Sequence, residues 1–151
     1  MASAKRIYLV RHAKAEEQRE DGDAARRLTR GGRERFEALL ALLGPRLAVR
    51  SVVTSPFLRA RETAAILARA TGAEVEEDEA LSSGRSSGRE ILALARRAPP
   101  GTALVGHNPE LGEAIALAAG RQQDVKPGTV AALDLGDEVT LAWLERPPRS
   151  G

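Results

Sequence analysis

Short aliphatic runs alternate along the chain with longer stretches in which apolar residues recur every three or four positions. Residues 6–10, RIYLV, form a β-branched and aliphatic run suited to a buried strand. The polar stretch 13–28, AKAEEQREDGDAARRL, predicts a solvated loop or irregular helix broken at Gly22. Thr29 then caps a helix in which Phe36, Leu39, Leu40 and Leu43 fall at i, i+3, i+4 and i+7, with Gly44-Pro45 as its stop. Residues 49–54 predict a second strand, which Ser55-Pro56 turns into a helix carrying Ile66, Leu67 and Ala70 and closing near Gly72. Residues 74–77 give a weak third strand, and the Ser/Gly loop LSSGRSSG leads to a helix with Ile91, Leu94, Ala95 and Ala98 on one face, stopped by Pro99-Pro100-Gly101. A fourth strand at 102–105 feeds a helix marked by Leu111, Ala114, Ile115 and Ala118. Two last strands, 130–135 and 139–144, flank Gly136-Asp137, a dipeptide suited to a tight hairpin.

Strand followed by helix, four times over, predicts an α/β fold: a three-layer sandwich whose mainly parallel central sheet has helices on both faces and ends in a C-terminal antiparallel hairpin. At 151 residues the chain is expected to form one domain over 1–151, with enough core to need neither disulfides nor a structural metal. The opening MASAKR is too short and polar for a signal peptide, and no apolar run reaches the length of a bilayer span, so the expected location is cytoplasmic.

Composition narrows the chemistry. The absence of cysteine removes thiolate nucleophiles and sulfur-based zinc sites. Only 3% of residues are aromatic, which argues against stacked cofactors or bases; no cofactor and no metal are expected. Lys+Arg 23 against Asp+Glu 21 leaves a net charge of +2 with the signs interleaved, so neither nucleic acid nor membrane is an expected partner. The oligomeric state is not encoded in any pattern we find.

The stretch YLVRHAKAEE places Arg11, His12 and Lys14 at the end of a hydrophobic strand, and burying such groups is unfavourable unless something pairs with them. In open α/β sheets ligands bind outside the carboxyl ends of the strands. Three predicted exits carry notable polar groups: Arg11-His12, then Thr54 to Arg59, then Gly106 to Pro109 with His107 and Asn108. The two histidines of the chain both sit at such exits. Taken singly, each feature has an ordinary structural reading, since Arg59 in RARE fits a solvated helix face and GHNP fits a turn. Together, two imidazoles and two guanidinium groups make a receptor for a tetrahedral dianion, because arginine forks bind phosphoryl oxygens and an imidazole can attack phosphorus.

The ordered motifs LVRHAKAE, RRLTRGG, VTSPFLRARETA and VGHNPEL resemble the histidine phosphatase superfamily, in particular its small SixA-type phosphohistidine phosphatases. The resemblance spans nearly the whole chain and implies a phosphoglycerate mutase-like fold. It implies that His12 is the nucleophile that becomes phosphorylated, that Arg11 and Arg59 bind phosphate, and that His107 binds the phosphoryl group in flight. A neutral His12 attacking beside a protonated His107 predicts a bell-shaped pH dependence. Lys14, Ser55 and Asn108 are expected to line the outer pocket. Ala13 stands where many relatives have glycine. Larger relatives that cleave phosphoesters place a glutamate two residues after a leucine, whereas Leu81 here is followed by Ser82-Ser83, with Glu79 nearby but out of register.

Imidazole, with a conjugate-acid pKa of about 6.5, leaves far more readily than an alkoxide, so a phosphoramidate tolerates a missing general acid. The expected activity is therefore a metal-independent phosphatase acting on protein phosphohistidine. The rival readings are a phosphatase of small phosphomonoesters such as sugar phosphates or nucleotides, with Glu79 or a loop carboxylate as acid, and a phosphate-binding module without turnover.

Overall fold

A computed structural model describes residues 4–149, so part of the MASAKR stretch and the last two residues of the tail lie outside the described residues. Six strands form one sheet: β1 (Lys5–Arg11), β2 (Ser51–Thr54), β3 (Glu74–Glu77), β4 (Thr102–Gly106), β5 (Val130–Leu135) and β6 (Val139–Glu145). Their order across the sheet is β3-β2-β4-β1-β5-β6. The pairs β2/β3, β2/β4 and β1/β4 are parallel, and β1/β5 and β5/β6 are antiparallel. The final hairpin is thus sewn along β1, in the middle of the sheet, rather than hung on a distant edge.

Four helices cover the sheet: α1 (Arg30–Leu43), α2 (Leu58–Thr71), α3 (Gly88–Arg97) and α4 (Glu110–Ala119). Thr29 accepts a hydrogen bond from the Gly32 N–H and starts α1, while Gly72, at φ 76°, closes α2 in the left-handed conformation that glycine adopts without penalty. Strand alternation sends Tyr8, Val10, Ala103, Val105 and Ala132 toward Phe36, Leu39 and Leu67 of α1 and α2. The intervening Ile7, Leu9, Leu104, Ala131 and Leu133 pack on Ile91, Leu111 and Ile115 of α3 and α4. Each fully buried aliphatic or aromatic side chain stabilises the fold by about 1.5–3 kcal/mol, which is how alanine-rich helices with few aromatics still hold a sheet between them.

The elements depart from the sequence reading in small, explicable ways. β2 begins at Ser51 because its parallel partners Thr102 and Glu74 begin there, whereas Arg50 N–H goes to the Gly101 carbonyl. β3 is an exposed edge strand, and its three glutamates keep that edge from recruiting another strand. Leu94 is only half buried on α3. Among the described residues, no helix is long and apolar enough to cross a membrane.

Candidate active site

The carboxyl ends of β1, β2 and β4 are tied together by backbone. His12 N–H donates to the Gly106 carbonyl at 3.1 Å and Ser55 N–H to the Val105 carbonyl at 2.9 Å, so the three exits leave the sheet at one level. Gly128 N–H donates to the carbonyls of both Arg11 and His12, fastening the segment before β5 to the same place. Behind His12, Ala13 N–H donates to Thr63 Oγ1 at 3.0 Å, and Gly32 of α1 lies so close that a Cβ there would collide with the Lys14 carbonyl oxygen. Glycine at 32 is therefore what lets the N-terminus of α1 press onto the loop carrying His12.

This framework brings the two imidazoles together, with ring centroids 5.2 Å apart and planes at 57°. His12 Nδ1 lies 2.8 Å from the Ala13 carbonyl oxygen. A carbonyl only accepts, so Nδ1 carries the proton and Nε2 keeps its lone pair. His107 Nε2 lies 2.8 Å from Ser55 Oγ, which accepts from the Phe57 N–H at 3.1 Å. Ser55 Oγ, with one proton to give and a second lone pair, bonds Nε2 in either tautomer of the ring and leaves Nδ1 facing away from it. The Phe57 ring meets His107 edge-on at 5.0 Å and carries the Arg59 guanidinium 5.1 Å from its centroid.

Both histidines are buried, and both are harder to protonate than a free imidazole. Burial, joined by the positive charges of Arg59, Arg11 and Arg26 and only partly offset by the bond to the Ala13 carbonyl, pushes His12 down to about 4. Burial, then the neighbouring His12 and the Arg59 charge, pushes His107 down to about 3. Apart from Asp23, every charge bearing on His107 is positive, so the charged form expected during turnover requires an anion beside the ring.

Arg11 anchors Nη1 on the Val125 carbonyl at 2.9 Å. Arg59, expected either in the site or on a solvated face, is only 4% exposed, with Nη1 on the Asp23 carbonyl at 2.7 Å and Nη2 on Asp23 Oδ2 at 3.1 Å. Among the described residues, four buried side-chain polar atoms lack any partner: Arg11 Nε, Arg59 Nε, His107 Nδ1 and Thr129 Oγ1. Three of the four belong to side chains that the sequence picked out. Unpaired buried polar groups are rare because each costs about 1–3 kcal/mol, and their concentration at one end of the sheet suits that end to binding an anion.

The outer residues fall differently. Ser55 is fully buried and lies beneath His107 instead of at the rim, because its backbone still follows β4. Asn108 uses its amide to hold the loop, Nδ2 donating to the Val125 carbonyl and Oδ1 accepting from Gly112 N–H. Lys14 is exposed and lines a hollow of about 180 Å³ with Arg35, Lys126, Arg146 and Arg149. Glu79 is exposed and accepts from Ser82 Oγ at 3.3 Å, a local bond within its own turn. Hollows of about 450 and 730 Å³ are lined by neither histidine, although the second reaches Asn108 and Val125. Sequence reasoning missed Asp23 and Arg26, which sit in the stretch read as solvated loop, and Thr129; a carboxylate flanked by arginines after the positive-φ Gly22 was the one local hint.

A family model, the histidine phosphatase superfamily (branch 1), matches residues 7–128. The chain belongs to that superfamily. Its fold is of the SixA type: SixA of Agrobacterium tumefaciens superimposes with a TM-score of 0.82 at 24% identity, covering 95% of this chain and 99% of that one. A SixA described as a protein histidine phosphatase complexed with tungstate gives 0.81 at 20% identity over 94% and 97%. SixA of Nakamurella multipartitia gives 0.74 at 28% identity over 97% and 98%. No curated protein matches the chain. Membership of this superfamily supports a phosphatase.

Proposed function

We propose that the chain is a metal-independent phosphatase that works through a phosphohistidine at His12, and that its substrate is phosphohistidine on another protein. The observation that carries the reading is the His12 tautomer: Nδ1–H held on the Ala13 carbonyl leaves the Nε2 lone pair beside a set of unpartnered cationic donors. In the first step Nε2 attacks phosphorus, a P–Nε2 bond forms, and the substrate P–N bond breaks with its electron pair returning to the departing imidazole, which takes a proton from solvent. In the second step a water oxygen attacks phosphorus, the bond to Nε2 breaks, and inorganic phosphate and a proton leave.

Arg11 and Arg59 hold the equatorial oxygens in this scheme, and His107 Nδ1–H donates to the same group. An arriving phosphoryl dianion supplies the negative charge that the unliganded site lacks, so His107 gains its proton with the substrate. Arginines, not carboxylates, surround His12, and such a donor set repels a divalent ion instead of ligating it. Full turnover in chelator is expected.

Ser82 and Ser83 stand where larger relatives place an acid, and Glu79 bonds Ser82. A leaving group with a conjugate-acid pKa of about 6.5 suits such a site, and an alkoxide does not. The SixA described as a protein histidine phosphatase shares the fold and favours the same substrate class. We place the activity in the cytoplasm, as one domain over 1–151. A panel of a phosphohistidine protein, para-nitrophenyl phosphate, a sugar phosphate and a nucleotide tests the reading. Phosphohistidine is expected to be cleaved with the highest kcat/KM, and preference for an alkyl phosphate would overturn the assignment in favour of a small-ester phosphatase.

A further inference from the structure

Thr129 precedes β5 and belongs to none of the motifs discussed above. β1 and β5 pair antiparallel from Lys5 with Leu135 to Val10 with Val130, so the next position of the ladder sets Thr129 opposite Arg11. The bond from Arg11 N–H to the Thr129 carbonyl, 3.1 Å, continues that ladder. Residues directly opposite in an antiparallel pair point to the same face with Cβ atoms about 5 Å apart, which puts the Thr129 hydroxyl beside the Arg11 side chain. Arg11 is anchored through Nη1 on Val125, and the edge it leaves open is the Nε/Nη2 side of the fork, the edge that binds phosphoryl oxygens side-on.

Thr129 is completely buried and its Oγ1 has no partner, and neither has Arg11 Nε. Two unmade hydrogen bonds on neighbouring side chains of one face call for a single acceptor placed between them. Other buried threonines of this chain are satisfied: Thr54 Oγ1 donates to the Ser55 carbonyl, Thr63 Oγ1 to that of Arg59, and Thr102 Oγ1 to that of Pro99. Thr129 alone among them waits for something outside the chain.

We infer that the Thr129 hydroxyl is a fourth oxyanion ligand beside Arg11, Arg59 and His107, donating together with Arg11 Nε to one oxygen of the bound phosphoryl group. The inference rests on the reading of the His12 pocket as a phosphoryl site. It assigns to a neutral hydroxyl the task of fixing the rotation of the phosphoryl group about its bond to His12, which the arginine forks alone leave to long side chains.

Thr129→Val keeps the shape and removes the donor, and Thr129→Ser keeps the donor and removes a methyl group. Binding of tungstate and of inorganic phosphate is measured by calorimetry, alongside the melting temperature of the unliganded protein. T129V is expected to bind tungstate about tenfold more weakly, the loss of a hydrogen bond to a charged group, while T129S stays close to wild type. The unliganded T129V is expected to melt no lower than wild type, because the deleted hydroxyl had no partner. Unchanged tungstate affinity in T129V overturns the inference, and a lowered melting temperature with that unchanged affinity would assign the hydroxyl to an internal water. If T129V does not fold, T129A against T129S gives the same contrast. Wild-type protein that binds tungstate, loses it in T129V and yet hydrolyses no phosphohistidine refutes the proposed function and leaves this inference standing. Normal hydrolysis with T129V indistinguishable from wild type refutes this inference alone, and wild-type protein that binds no oxyanion refutes both.

Discussion

The two ends of the central sheet carry similar residues and treat them in opposite ways. At the amino end, Lys5 Nζ donates to the carbonyls of Arg96 and Ala98 at 2.6 and 2.7 Å, Arg6 pairs with Asp134 at 2.9 Å, and Thr102, buried like Thr129, shares bonds with Ser51 and Pro99. At the carboxyl end, Arg11, Arg59, His107 and Thr129 each keep a buried polar atom with no partner. Cations at the first end complete the fold. Those at the second are held by one or two bonds and left with a donor to spare, so the difference between a structural and a functional arginine lies in what remains unmade.

The largest effect that sharpens this contrast is expected from Arg59. Removing a buried guanidinium that faces developing negative charge costs about a hundredfold or more in kcat, so R59A should lose that much in steady-state turnover of phosphohistidine. R59A retaining activity would mean that its pairing with Asp23 is its whole purpose. A smaller loss, about tenfold in kcat/KM, is expected for S55A, which frees His107 Nε2 and lets the ring turn. Serine at 55 acts through His107, and the distinguishing readout is the pH profile of S55A, which should shift with the ring, whereas a merely structural role would lower melting temperature and leave the profile in place.

Acid titration probes the same end of the sheet. The unfolded chain protonates its histidines near pH 6.5, while His12 and His107 in the folded chain resist protonation down to about 4 and about 3. Unfolded molecules therefore bind more protons across that window, and stability falls as pH drops from about 6.5 toward 4, by at most about 1.4 kcal/mol per pH unit for each ring. Denaturant melts at stepped pH should show this slope, and tungstate should offset it by binding the protonated rings. A stability independent of pH between 6.5 and 4.5 would mean that the histidines are not desolvated. The smallest effect belongs to the amino end: R6A breaks an ion pair that is about a third exposed on both sides, and should change stability by less than about 1 kcal/mol and activity not at all.

Much of this end was legible in the sequence because its signals are local. Strand-to-helix exits are marked by alternation giving way to 3.6-residue spacing, and Arg11, His12, Arg59 and His107 all sit at such exits, where the open α/β rule directs attention. What escaped depends on register and on contacts across the chain. Thr129 is placed by pairing with a strand more than a hundred residues away, and Asp23 by a guanidinium from α2, neither of which leaves a periodic trace. The sequence sets Ser55 at the rim, since nothing local says that β2 and β4 keep their bonds one residue past Thr54. Asn108 also stands at an exit, where its chemistry suggests a ligand, but its amide holds the loop.

The account rests on a neutral His12 whose Nε2 faces the phosphoryl group. Rapid-quench incubation with a radiolabelled phosphohistidine protein tests it most directly. The prediction is a protein-bound label that is acid-labile and stable to alkali, maps to His12, and fails to form in H12A. Turnover that leaves no such label in the wild type, or a label that persists in H12A, would contradict it.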